Sequence, residues 1–222
     1  MMRCRLRAYF VVLVIVLSGC KGDRLPAQTQ APPRATSAPY AGDLSIFEYA
    51  DRDKKLQTDR VMNLLGITKG KSVADIGAGS GWFTVRAARR VGPGGTVYAE
   101  DISGLAVQYI DDRVRKEKLT NVRTILGTPD DPKMPAASVD AMLMLKVYHE
   151  IAHPVPVLKK LRASLKPGAK VGIIDRNGNG ADHGLDGDVV VKEMGEAGYK
   201  LAAKYDFTKA DGQDYFLIFV VR

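Results

Sequence analysis

The sequence predicts a doubly wound α/β domain, a seven-stranded and mostly parallel sheet with an antiparallel C-terminal hairpin. Three observations carry this. From about residue 52, short apolar strand patterns alternate with helical ones, the order that covers a parallel sheet on both faces. A glycine-rich loop, Gly77-Ala78-Gly79-Ser80-Gly81, joins the first strand to the next helix. The tail departs from the alternation. There "YKLAAKYDF" and "DYFLIFVVR" have only the polar "TKADGQ" between them, and two adjacent strands with no helix between pair antiparallel.

The elements follow in order. "DKKLQTDRVMNLLGI" sets Leu56, Val61, Leu64 and Leu65 near helical spacing, with Gly66 as a stop. "KSVADI" (71–76) is a short apolar strand, and "GWFTVRAARRVG" a helix ending at Gly92. Strand 95–101 and the amphipathic helix "LAVQYIDDRVRKEKL" come next. Strands 121–127 and 138–147 precede the helix "PVPVLKKLRASL", which has Pro154 near its start. Strand 169–175 and a helix in "VVVKEMGEAG" lead into the terminal pair.

Ahead of this domain stand two segments of other character. Residues 1–20 read as a bacterial lipoprotein signal peptide. Arg3, Arg5 and Arg7 form a positive start, Ala8 to Leu17 an apolar stretch too short to span a membrane, and Leu17-Ser18-Gly19-Cys20 a lipobox-like end. Cys20 is the expected lipidation site and membrane attachment. Residues 21–45, rich in Pro, Ala, Gln, Ser and Thr, read as a flexible tether, with too little apolar surface to offset the entropy of ordering. The domain is then 46–222, long enough for one substantial core. Because it follows the apolar stretch, an extracytoplasmic, periplasmic-side location is expected.

The formal charge is +8, of which the signal's three arginines carry three. No basic run interleaves with aromatics, so no nucleic-acid partner is expected. The cysteines are Cys4 and Cys20 alone, so the mature domain has no disulfide, thiolate nucleophile or cysteine metal site. The histidines are three, His149, His153 and His183, and no metal site is expected from them.

The glycine loop holds the chemistry. Glycines there let the backbone turn tightly and approach a ligand, and the helix start offers free N–H groups. The spacing is Gly-x-Gly-x-Gly, and Asp75 precedes the first glycine by two. A carboxylate there is poorly placed beside a pyrophosphate and suits a ligand with a positive centre. No Gly-Lys-Ser/Thr follows, which excludes a Walker loop. Glu100 ends the second strand, where an acid accepts both hydroxyls of a ribose. A ribose, an adenine, a cationic sulfonium and an amino-acid end together describe S-adenosylmethionine.

With "VADIGAGSGWFT", "GGTVYAEDIS", "GTPDDPKMPAASVDAMLMLKVYHEI" and "LKPGAKVGIIDR" in that order, the chain resembles the class I S-adenosylmethionine-dependent methyltransferases, in particular the type-11 and quinone-biosynthesis branch, over about residues 47–222. The resemblance implies that Asp75, Gly77, Ala78, Gly79, Ser80 and Gly81 line the methionine end. It implies that Glu100 holds the ribose, with Asp101 and Ile102 flanking the adenine, and that Thr128 to Asp131, including Asp130, form the adenine wall. Lys146 and Val147 would face the sulfonium side. Many relatives carry Asp or Asn where this chain has Lys146: pointing inward it would weaken cofactor binding by like-charge repulsion or meet an acidic substrate, and pointing outward it would mean little, so an outward or substrate-facing side chain is expected.

A methyl transfer needs positioning and desolvation, and a general base only for some acceptors. Tyr148 and His149, with Glu150 beside them after the fourth strand, are the candidate catalytic groups. The competing reading makes "YHE" a packing and helix-capping segment. Asp175 and Arg176 read as a solvent-facing charge pair, and His183 as part of a glycine-rich surface loop or lid. The expected activity is methyl transfer to a small molecule. The alternative is an exported binding module that keeps the fold without the chemistry.

Overall fold

The computed structural model describes residues 32–222. The expected signal peptide, Cys20 and the tether up to residue 31 lie outside the described residues.

A single seven-stranded sheet in the order β3-β2-β1-β4-β5-β7-β6 organises the domain. Its strands are β1 (Ser72–Ile76), β2 (Thr96–Asp101), β3 (Val122–Leu126), β4 (Val139–Leu145), β5 (Leu165–Asp175), β6 (Tyr199–Tyr205) and β7 (Tyr215–Val221). The first five pair in parallel, while β7 lies antiparallel between β5 and β6. The polar link between β6 and β7 forms a 3-10 turn, Phe207–Asp211.

The helices are α1 (Arg52–Leu56), α2 (Thr58–Leu65), α3 (Trp82–Val91), α4 (Gly104–Lys116), α5 (Pro154–Ser164) and α6 (Gly187–Glu196). Strand alternation sorts the core into two layers. Ala74, Met142, Met144, Leu217 and Phe219 pack with α5 and α6, whereas Val73, Ala141, Leu143, Phe216 and Ile218 pack with α2 and α3. A one-residue slip of β4 would exchange these two sets, so its register is strongly fixed.

Two local expectations change. The single helix expected over 53–66 breaks at Gln57, whose φ of +54° ends α1 and starts α2. Strand β5 starts at Leu165 instead of 169, because Leu165 already pairs with Val139 before the register shifts.

Residues 32–45, expected as part of the tether, fall in the same compact unit as the rest of the domain. Residues 32–43 lack regular structure yet are held to the domain by Arg34. Its backbone N–H donates to the Ala152 carbonyl (3.1 Å) and its Nε to the Ile151 carbonyl (2.8 Å). Its guanidinium also donates to the Tyr148 carbonyl, pairs with Glu193 at 3.0 Å and lies 5.0 Å from the Tyr148 ring centre. Composition rightly reports little apolar surface in this stretch. It cannot report that one arginine meets the carbonyls of Tyr148, Ile151 and Ala152.

Candidate active site

Between β1 and β4 the strand order reverses, and a cavity of about 260 Å³ opens at the carboxyl ends of the strands. Open α/β sheets bind ligands at such a point. The loop after β1 forms its floor. Gly77 and Gly79 have φ of +65° and +55°, values glycine adopts without strain. A Cβ at Gly77 would overlap Val147 Cγ2, so the loop and the end of β4 approach more closely than a side chain allows. At Gly79 nothing lies within 4 Å of that place.

Ala78 and Ser80 also line the cavity. The Ser80 hydroxyl is buried and has no hydrogen-bond partner among the described residues. Gly81 does not line it. A Cβ there would press to 3.1 Å on Ile110, so this glycine serves the close packing of α3 on α4.

Three acids meet at this loop. Asp75 is buried, its Oδ2 accepts from Thr84 Oγ1 at 2.6 Å, and burial pushes its carboxyl up to about 6. Glu100 is only 3 % exposed, and burial, reinforced by the charge of Asp101, raises it to about 8. A Cβ on Gly127 would overlap Glu100 Oε1, so glycine must follow β3 for this carboxylate to fit. Asp101 positions the loop itself, accepting from the Gly79 and Ser103 N–H groups at 2.9 Å each.

Ile102, Thr128, Pro129 and Pro132 continue the wall. Asp130 departs from expectation: it is exposed and absent from the lining. Reciprocal backbone bonds between Thr128 and Asp131 (2.8 and 3.0 Å) form a tight turn, and Asp130 sits at its outer side with its carbonyl bonded to Lys160.

At the other end Lys146 lines the cavity, so the inward of its two readings holds. Its Nζ lies 3.6 Å from the buried Asp211 Oδ2. Arg52, missed in the sequence, joins it. Arg52 lines the cavity, sits 4.0 Å from Asp211 Oδ2 and lies 4.2 Å from the Trp82 ring centre. Burial lowers the pKa of both cations. Within "DRDKK" nothing sets Arg52 apart from a solvated charge run; its burial comes from Tyr49, Trp82 and Asp211, far apart in the chain.

The "YHE" segment is a 3-10 turn, Tyr148–Glu150. Tyr148 is fully buried beside α6, where its hydroxyl donates to Glu193 at 2.8 Å. It is absent from the cavity wall, which removes it from the candidates for chemistry. The reason is geometric: a 3-10 turn advances by a third of a revolution per residue, so its three side chains point three ways. His149 is 3 % exposed, with Nδ1 2.8 Å from Asp175 Oδ2 and its backbone N–H 3.3 Å from the same oxygen. Asp175, expected at the surface, is thus a buried partner that fixes the imidazole. Nε2 remains, 3.8 Å from Glu150 Oε1. Glu150 lines the cavity, and burial raises its carboxyl to about 7.

The glycine loop, the buried acids and the β3-β2-β1-β4-β5-β7-β6 sheet define a class: the fold is that of the S-adenosylmethionine-dependent methyltransferases. The family described as "Methyltransferase domain" matches residues 73–168, from β1 into β5. A demethylmenaquinone methyltransferase of Geobacillus sp. (strain WCH70) is 30% identical over 110 residues, 50% of this chain and 47% of that protein. The chain therefore spans about half the length of that relative. Among solved structures, a SAM dependent methyltransferase from Aquifex aeolicus superimposes with a TM-score of 0.73 at 23% identity, covering 82% of this chain and 100% of that one. Aeropyrum pernix fibrillarin, solved with natively bound S-adenosyl-L-methionine, gives 0.56 at 16% identity, over 75% of this chain and 74% of that one.

The residues present fit S-adenosylmethionine. The open space at Gly79 admits a ligand against the backbone, and the unpartnered Ser80 hydroxyl offers it a hydrogen bond. Asp75 and Glu100 are buried acids whose burial raises their pKa values, the setting a cationic, hydroxyl-bearing ligand relieves.

Proposed function

We propose that this protein is an S-adenosylmethionine-dependent methyltransferase acting on a small molecule. The observation that carries the reading is the convergence of the Gly77–Ser80 backbone, Asp75 and Glu100 on one cavity at the strand-order reversal. The chemistry supplied by the bound cofactor is an electrophilic methyl group on a good leaving group. The chain's own work is then binding, orientation and exclusion of water. Glu100 accepts the ribose hydroxyls, Asp75 faces the amino-acid end, and Ile102 with Thr128 and Pro129 encloses the adenine.

The acceptor meets an apolar wall of Tyr40, Leu44, Phe47, Leu145 and Val147, with Arg52 and Lys146 as the cations at that end. An apolar ring bearing an anionic or phenolic oxygen suits such a wall. The name of the Geobacillus relative makes a quinol the first acceptor to test. Attachment to a membrane through a lipidated Cys20, with the domain outside the cytoplasm, would set the cavity beside lipid-soluble acceptors and raises the question of cofactor supply.

Calorimetric titration with S-adenosylmethionine and S-adenosylhomocysteine, beside Asp75→Ala, tests the cofactor site. Micromolar binding lost in the variant supports it; no binding to a folded sample refutes it and favours a non-catalytic module. Transfer of labelled methyl to a reduced quinone analogue tests the acceptor.

A further inference from the structure

Two of the three histidines, 34 positions apart, meet at the rim of the cavity. One donor atom from each of His149, Glu150 and His183 lies within 4.8 Å of the others. From these we infer a binding site for a divalent transition metal ion, Zn²⁺ by ligand type, formed by His149 Nε2, Glu150 and His183. Two imidazoles and one carboxylate are a three-ligand zinc set that leaves a position open.

The surroundings are built for ligation. His149 presents its Nδ1 to the buried Asp175 at 2.8 Å, so the nitrogen left over is Nε2. That is the carboxylate–histidine relay that fixes ring and tautomer for a metal. On the other side, His183 stands at φ +60°, an uncommon backbone for a non-glycine residue. Arg176 holds it there, its Nε donating to the His183 carbonyl at 2.9 Å and its guanidinium to the Asp182 carbonyl. The Asp182 carboxylate ties the same loop by accepting the Asn179 N–H at 3.0 Å. Gly178 and Gly184 pack too closely for any Cβ, 2.7 Å from backbone at one and 2.6 Å at the other. A loop with no task would not need an arginine staple to hold a histidine in a left-handed conformation facing a second histidine 6.1 Å away.

Ligands about 2.0–2.1 Å from a tetrahedral zinc stand about 3.3 Å apart. His149 Nε2 and Glu150 Oε1 are already at 3.8 Å. The remaining closure falls to His183, an exposed residue on a loop. Glu150 is the ligand that also lines the cavity, which puts the open position on the acceptor's side. Resting on the methyl-transfer reading, an acceptor hydroxyl would fill that position, where the metal would lower its pKa and let its proton pass to water.

The test uses the full chain, stripped with chelator and titrated with Zn²⁺ alone, then with Co²⁺ for its visible ligand-field absorption. One equivalent should bind at micromolar concentration or tighter. His183→Ala should weaken binding by about 100-fold while leaving thermal unfolding of the metal-free protein unchanged. Asp175→Asn should weaken it about 10–100-fold. Zn²⁺ affinity equal in wild type and His183→Ala, or no binding in the wild type, overturns the site. A parallel titration with S-adenosylmethionine separates the two readings. Cofactor binding without Zn²⁺ binding sinks the metal site alone, and Zn²⁺ binding without cofactor binding supports the metal site while the methyl-transfer reading falls.

Discussion

Glu100→Gln should make the ligand-free protein more stable and the cofactor site worse. Burial raises the Glu100 carboxyl from 4.5 to about 8. In the unfolded chain this group loses its proton near 4.5, while in the folded protein it keeps it until about 8. Between those values the folded state binds more protons, so stability falls as pH rises and stays reduced above 8. At about 1.4 kcal/mol per pH unit, the loss over the window is at most about 5 kcal/mol. Glutamine removes the titration and keeps the shape. For a domain of this size 1 kcal/mol moves Tm by about 2–4 °C. The variant should therefore melt about 10 °C or more above wild type at pH 9, yet within about 3 °C of it at pH 5, where the penalty is only about 1 kcal/mol. Cofactor affinity should fall in the same variant, because a neutral amide accepts ribose hydroxyls less well than a carboxylate. Thermal scans of the ligand-free protein across pH 5–9 read the first effect and calorimetry the second. Parallel pH profiles for variant and wild type would refute the buried, raised carboxyl.

Further outcomes follow from single contacts. Gly77→Ala combines a φ of +65° with a Cβ that overlaps Val147 Cγ2, so it should lower stability by about 1–3 kcal/mol and abolish cofactor binding, read by denaturant melts and titration. Thr84→Val removes the donor 2.6 Å from the buried Asp75 and should cost about 1–3 kcal/mol; unchanged chemical stability would show that this hydrogen bond is unimportant. Arg34→Ala should release residues 32–43 from the domain, making the chain sensitive to protease ahead of residue 44. It should also weaken cofactor binding, because Pro39 and Tyr40 from this segment line the cavity. Unchanged proteolysis would show that other contacts hold the strap.

The sheet was legible because its signals are local. Apolar runs of 139–145 and 215–221 between polar punctuation fix strands, and the absence of a helix between the last two fixes their antiparallel pairing. The glycine loop was equally legible. Gly77, Gly79, Asp75 and Glu100 belong to two consecutive strand–turn units, so sequence spacing already sets their geometry. What sequence could not decide are contacts between distant segments. Arg34 against 148–152 turns a polar stretch into a docked strap. Arg52 and Lys146 share Asp211, which lies more than 60 residues beyond either. Asp175 reaches His149 only because β4 and β5 end side by side. His183 joins them through a loop whose glycines and Arg176 staple set its path. Local spacing determines the backbone frame, because backbone hydrogen bonding repeats along the chain; the side-chain constellation at the rim is set only when separate strand ends are packed together.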